Sequence, residues 1–433
     1  MALSLPAHPD LEHLRRDARR LQREVRAGEV DAVALVARHH PRGVPDDPGS
    51  FALAGAQLVV ARAHGFPSWP RMLDYLRSAR PLWRDPGALD PVSADADGGD
   101  GSDGMSIDEL ASAAAALACL TYTDRDDPAR WARAAAILER RPELAVQDVA
   151  VAAATGDVAA LRRHVAGDAG AATRETGPFR WPPLLYLVYS RVPQVDAVGS
   201  ARVLLDAGAD PDSGYLWQGL PTPFTALTGV FGEGEQGPGR EPRHPQWRAL
   251  AELLLERGAD PNDRQALYNR MFNRDDSHLE LLLEHGLGRP SSEIWERRTG
   301  QAAESLEEML VRQVGWARDH GFVHRLELLA VHGLLAGPPS GPEQSDIHRA
   351  ATPEAVAAAV AAGAGVDERP DGRTALHQAA FMDDVELVRA LLAAGADPEA
   401  RDDTHRTRPL EWARWAHARA AEQVLAEVTA TDG

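Results

Sequence analysis

The chain has 433 residues, 44% of them hydrophobic, and a formal net charge of −19. It is long enough for more than one folding unit with an ample core, and its acidity argues against nucleic acid as the main ligand, because phosphate binding requires clustered positive charge. All 46 basic residues are arginine, which excludes a P-loop lysine, a Schiff base and a lysine general base.

Residues 1–82 read as a small helical region. The stretch from Pro9 to Gly28 has helical periodicity with dense charge, and 51–76 supplies a second amphipathic pair broken by Pro67 and Pro70. The arginine-rich face suits an anionic surface, but its interleaved acids make a solvated face of a helical bundle the better account. Met1 to Leu14 has no apolar core of the signal-peptide kind, and no stretch approaches a membrane span, so a cytoplasmic protein is expected. Residues 83–104 are rich in Asp, Gly and Pro and read as a flexible acidic linker. Further on, the single cysteine, Cys119, lies in the apolar run from Ala111 to Thr123, where a thiol serves as small core filling.

From about residue 105 the chain repeats itself. Apolar helical stripes end at Gly208, Gly258, Gly286, Gly333, Gly363 and Gly395, at spacings of 50, 28, 47, 30 and 32 residues. A period near 30 therefore persists and is interrupted twice, near 213–247 and 288–305. The stretch Asp371 to Asp403 is the most complete unit. Thr374 is placed to cap a first helix, Leu376, Ala379 and Ala380 give that helix a buried face, and Val385, Val388, Leu391 and Leu392 form the stripe of a second. Gly395 can take the left-handed conformation that ends it, and Asp397-Pro398 turns the chain outward.

This stretch resembles the ankyrin repeat of 33 residues. The resemblance departs at Ala375, where the family has proline, and at Asp383, where it has glycine. It implies that His377 bonds backbone between neighbouring repeats. It also implies an all-α fold: an ankyrin-repeat solenoid of about seven to eight repeats over 105–433 with inserted loops, preceded by the small N-terminal helical region. The FPSWPRML run and the inserted segments look like a group of actinobacterial ankyrin-repeat proteins, and the absence of lysine points to a GC-rich bacterial genome.

Apparent catalytic motifs are weak. Gly232, Gly234 and Gly237 formally match the dinucleotide fingerprint, yet no strand precedes them and the neighbouring acids would repel a pyrophosphate. His320 and His324 lie four apart, but Gly321 falls at an inter-helix turn and is expected to put them on different elements. No catalytic residue, metal or cofactor is expected.

The insertions and first helices carry the candidate contacts. Tyr215 and Trp217 sit in the 213–247 insertion, whereas Phe224 and Phe231 are better read as core of a repeat. By the resemblance, Arg180 and Trp181 fall where fingers project, with Tyr189 on the helix that follows, and Tyr268, Asn269 and Arg270 fall on a first helix, the layer that lines the concave face. Each of these also has a reading as part of a solvated or packed face. The implied function is a non-enzymatic scaffold that binds a protein of basic or neutral surface, with neither nucleic acid nor membrane as partner. The alternative is an enzyme or small-molecule binder with a pocket between the 213–247 insertion and the concave groove, using Tyr215, Arg270 and an acid.

Overall fold

A computed structural model describes residues 10–88, 105–290, 294–299, 305–335 and 347–429. The chain is mostly helical, with three short strands among the described residues, and it divides into two compact units. The acidic linker expected over 83–104 lies outside the described residues from 89 onward, as do parts of the expected insertion at 288–305.

The first unit comprises Met1–Asp85, Tyr215–Phe224 and Ser292–Glu304. Its longest helix, Leu11–Ala27, begins where the Asp10 carboxylate accepts from the Glu12 and His13 amides and ends at Gly28 in the left-handed region. Leu14, Ala18, Leu21 and Val25 recur at helical spacing and are buried against Phe51, Phe66, Met72 and Tyr75. Burying each large apolar side chain contributes roughly 1.5–3 kcal/mol. The opposite face keeps Arg16, Arg19 and Arg23 exposed, and Arg20 pairs with Asp17 on its own helix. Pro70 begins a helix and does not break one: it sits in the first turn of Trp69–Ala79, where its missing N–H has no partner to lose, behind the Ser68 cap. Tyr215–Phe224 returns to this unit, with Trp83 and Arg84 pairing in parallel with Leu216 and Trp217.

The second unit is built of helix pairs. Short first helices, such as Pro183–Tyr189, Ala226–Phe231, Arg264–Arg270 and Ala375–Phe381, pack against their neighbours in series. All seven residues of the first and all six of the second are buried. The second helices, such as Ala197–Asp206, Trp247–Glu256, Ser277–Glu284 and Val385–Ala393, are amphipathic. After them the glycines noted in the sequence take φ of 71° to 100°, a region that costs a side chain energy. At Gly208 the amide bonds the Leu205 carbonyl and the next amide bonds Leu204, closing the helix end.

At Thr374 the hydroxyl caps Ala375–Phe381 and contacts His377 Nδ1 at 2.7 Å, while His377 Nε2 lies 3.1 Å from the Thr407 carbonyl of the following pair. Burial lowers the His377 pKa, so the ring is a neutral link between pairs. Cys119 is buried, with its thiol directed at the Tyr186 carbonyl, and burial pushes its pKa up to about 12, which makes it inert core. Replacing His377 by Ala removes one of the two hydrogen bonds to the Thr407 carbonyl, the other coming from the Asp402 amide, and opens a gap. It should cost about 2–3 kcal/mol, whereas Thr374→Ala should cost about 1 kcal/mol; calorimetric unfolding of both variants checks the order.

Candidate functional site: the inserted loop and its partners

In most pairs the first helix reaches the second within a few residues. Between Phe231 and Trp247 the chain runs instead through a glycine-rich loop, 232–246. Its glycines are required by close approach. A Cβ on Gly232 would come within 2.4 Å of the Pro242 carbonyl, and one on Gly239 within 2.1 Å of the Ala416 carbonyl. One on Gly234 would meet the Glu241 carboxyl at 2.5 Å, and one on Gly237 the Phe381 ring at 3.1 Å. The formal phosphate-loop pattern is thus explained by backbone packing within the protein.

The loop bonds to distant parts of the unit. Arg240 donates to the Trp415 carbonyl at 2.6 Å and the Asp124 carbonyl at 3.2 Å, and its guanidinium lies 4.6 Å above the Trp415 ring. Arg191 donates to the carbonyls of Pro242 at 2.8 Å and Gly229 at 2.7 Å. A close contact, with His417 Nε2 2.8 Å from an Asp127 carboxylate oxygen, joins the same two ends of the unit.

Beneath the loop lies a buried charged layer. The Glu233 carboxylate receives Arg270, Arg243 at 3.2 Å and the Asn273 amide at 3.2 Å. Arg243 also pairs with Asp275 at 2.5 Å. Burial pushes the Glu233 pKa up to about 7, against the pull of Arg243. Glu241 has no cation at hydrogen-bond distance; it accepts from the Gln236 backbone and side-chain amides at 3.2 and 3.1 Å. Burial, with the Asp126 charge behind it, pushes its pKa up to about 8. Raised carboxyls are candidate general acids; Glu233 and Glu241 are only 5% and 3% exposed.

Of the residues singled out in the sequence, Tyr268, Asn269 and Arg270 do meet at this loop. Tyr268 is half-buried, with its hydroxyl on Glu235 and Arg312 over its ring at 5.4 Å. Asn269 and Arg270 point inward: the first accepts from Gln265 at 2.8 Å and the second is fully buried on Glu233. Trp181 and Tyr189 are also interior, their rings 5.1 Å apart, and Tyr189 donates to the Thr225 carbonyl at 2.9 Å. Tyr215 belongs to the first unit and is buried against Phe224, and Trp217, half-buried, stacks on the same ring. Arg180 is exposed, at φ of 53°, beside Glu175 at 3.3 Å. The expectation that Trp181, Tyr189, Tyr215, Asn269 and Arg270 present a contact surface is therefore corrected: Tyr189, Asn269 and Arg270 lie on first helices packed on several sides, Trp181 packs on the Tyr186 and Tyr189 rings, and Tyr215 is enclosed in the first unit. Glu233, Arg240, Arg243 and Arg191 were missed; for the first three the signal was the charge spaced along an otherwise glycine-rich segment, whereas Arg191 lies outside that segment and carried none.

His320 and His324 fall on either side of Gly321, the first bonded to the Trp316 carbonyl at 3.0 Å and the second to Glu280 at 3.1 Å. Among the described residues no group of three or more His, Cys, Asp or Glu is arranged to hold a metal ion, and no helix is long and apolar enough to cross a membrane.

Residues 371–403 match the family model of the ankyrin repeat. No curated protein matches the chain. Among solved structures, the crystal structure of the human ASB11 ankyrin repeat domain matches at 18% identity, covering 66% of this chain and 99% of that one, with a TM-score of 0.26. The chain thus carries an ankyrin repeat, a module whose general role is protein–protein interaction.

Glu241 binds its proton more tightly folded than unfolded, where its pKa is near 4.5, so the stability it contributes is full below pH 4.5 and is lost as pH rises towards 8. Glu241→Gln should flatten the fall in Tm between pH 5 and 8 and raise Tm at the alkaline end, read by thermal denaturation across pH. Gly239→Ala should lower Tm at every pH, since its Cβ would strike a backbone carbonyl.

Proposed function

We propose that this chain is a non-enzymatic protein-interaction scaffold whose helix pairs form an ankyrin-type solenoid of seven or eight repeats over 105–433. The observation that carries the reading is the ankyrin repeat at 371–403, with its Thr374 cap and its His377 link to the next pair. The same pairing of a short buried helix with an amphipathic one recurs through the second unit. The charge of −19 favours a partner of basic or neutral surface and disfavours nucleic acid. We place the protein in the cytoplasm of an actinobacterium, on the all-arginine composition and the likeness of its inserted segments.

Partner contacts in this reading are made by groups that keep accessible surface: Arg180, Tyr268, and the half-exposed Trp415 beneath Arg240. Aromatic and arginine side chains are enriched where binding energy concentrates. The alternative of a pocket between the 213–247 insertion and the concave groove loses its two named anchors, because Tyr215 and Arg270 are interior.

Affinity capture with the intact chain and with the double variant Arg180→Glu, Tyr268→Ala tests the proposal. A basic or neutral protein should be retained at about 50 mM salt, released as salt rises, and lost in the variant. Capture of nucleic acid alone, or of a protein held equally by the variant, would contradict the assignment.

A further inference from the structure

The second unit contains a cavity of about 340 Å³ that neither the scaffold reading nor the repeat signature explains. It lies between the end of Arg264–Arg270, the turn at His320 and Phe322, and the pair Ala375–Phe381 and Val385–Ala393. Here the described residues Ile347, His348 and Arg349 form a turn ahead of Pro353–Ala361. Gly321 brings the Arg349 carbonyl close, since a Cβ there would sit 1.8 Å from it, and this fixes one wall.

What the cavity can hold follows from which lining groups are already engaged. Arg274 is saturated by Asp384 at 2.9 Å, by Glu386 at 3.4 Å and by the Ala351 carbonyl. Asp383 accepts from the Ala421 amide at 2.7 Å. Arg373, by contrast, reaches its nearest carboxylate, Asp371, only at 3.8 Å, and the Gln378 side chain makes no hydrogen bond. His320 and His348 each give one ring nitrogen to a backbone carbonyl, Trp316 at 3.0 Å and Glu368 at 2.9 Å. The N–H is therefore fixed at those positions, and each remaining ring nitrogen carries a lone pair. Burial depresses both pKa values, His320 to about 4, so the rings are neutral acceptors at pH 7. Arg373 is close enough to act on both rings. Phe272, Phe322 and Met382 supply apolar wall.

One open guanidinium, one open amide, two imidazole acceptors and an apolar wall specify a ligand. We infer that this cavity binds a small organic carboxylate bearing a hydroxyl or amino group and an apolar body, with the carboxylate on Arg373 and Gln378 and the donor on the His320 and His348 nitrogens. At about 30 Å³ per water the cavity spans roughly eleven water volumes, which suits an acid of about a dozen non-hydrogen atoms. The inference rests on the cavity alone and stands or falls apart from the scaffold proposal.

Isothermal titration of the full chain at pH 7 with 3-phenyllactate tests it, with 3-phenyllactamide and 3-phenylpropionate as probes lacking the charge and the hydroxyl. 3-Phenyllactate should bind at one site, each comparison acid or amide about tenfold or more weaker. Arg373→Gln and Gln378→Glu should each weaken 3-phenyllactate about tenfold or more, with unchanged helical circular dichroism, and Arg389→Gln, on the exposed side of the next helix, should bind as the parent does. Absence of 3-phenyllactate binding, equal binding of the amide, or full affinity in folded Arg373→Gln would overturn the assignment.

Discussion

Pairs of short helices leave carbonyl groups at their turns without intrahelical partners, and in the larger unit arginine side chains take them up. Arg130 reaches the Ala116 and Cys119 carbonyls, Arg191 those of Gly229 and Pro242, Arg240 those of Asp124 and Trp415, and Arg325 those of Met271 and Asn273. A charged donor to such an acceptor is worth roughly 1.5–3 kcal/mol, and an unpaired buried carbonyl costs about as much. The planar guanidinium serves two carbonyls and a carboxylate at once, as Arg325 does with Asp276 at 2.6 Å; a lysine ammonium has neither the span nor the fixed fork. A chain without lysine is, in this respect, matched to its fold.

The loop 232–246 is the place where this constraint is most concentrated. Its glycines let backbone approach backbone, and its charges are then enclosed: Glu233 between two arginines, Glu241 with amide donors and a retained proton at neutral pH. Enclosure of this kind stabilises only when every partner is present, because a buried charge without a counter-charge costs several kcal/mol. In the proposed readings, the groups that meet other molecules are Arg180, Tyr268 and Trp415, which keep accessible surface, and Arg373 and Gln378, which line the separate cavity.

Much of the repeat was legible in the sequence because its signals are local. Thr374 caps the helix three residues ahead of His377, and the glycines after the second helices take the left-handed conformation anticipated for them. The separation of His320 from His324 could be read from Gly321 alone. Non-local facts were not legible. That Tyr215–Phe224 joins the first unit depends on Leu216 pairing with Trp83, more than 130 positions earlier, which no window of sequence reveals. Arginine beside tyrosine or tryptophan suggested exposed contacts at Trp181 and Arg270, yet the layering of first helices buries both. The packing of the Gly-rich loop was not legible either, because composition reports glycine content and not what each glycine packs against. The cavity was invisible for the same reason: Arg373 and Gln378 are ordinary residues of a repeat in sequence, and only the fold brings them to one cavity with His320 and His348.

The role given to Arg240, as the bond between the loop 232–246 and both ends of the larger unit, is tested most directly by hydrogen exchange on the intact chain and on Arg240→Ala. Loss of protection at two separated segments, near Asp124 to Arg130 and near Trp415 to Ala418, is the result expected if the loop ties them together. Unchanged protection at either segment would show that the ends are held without it.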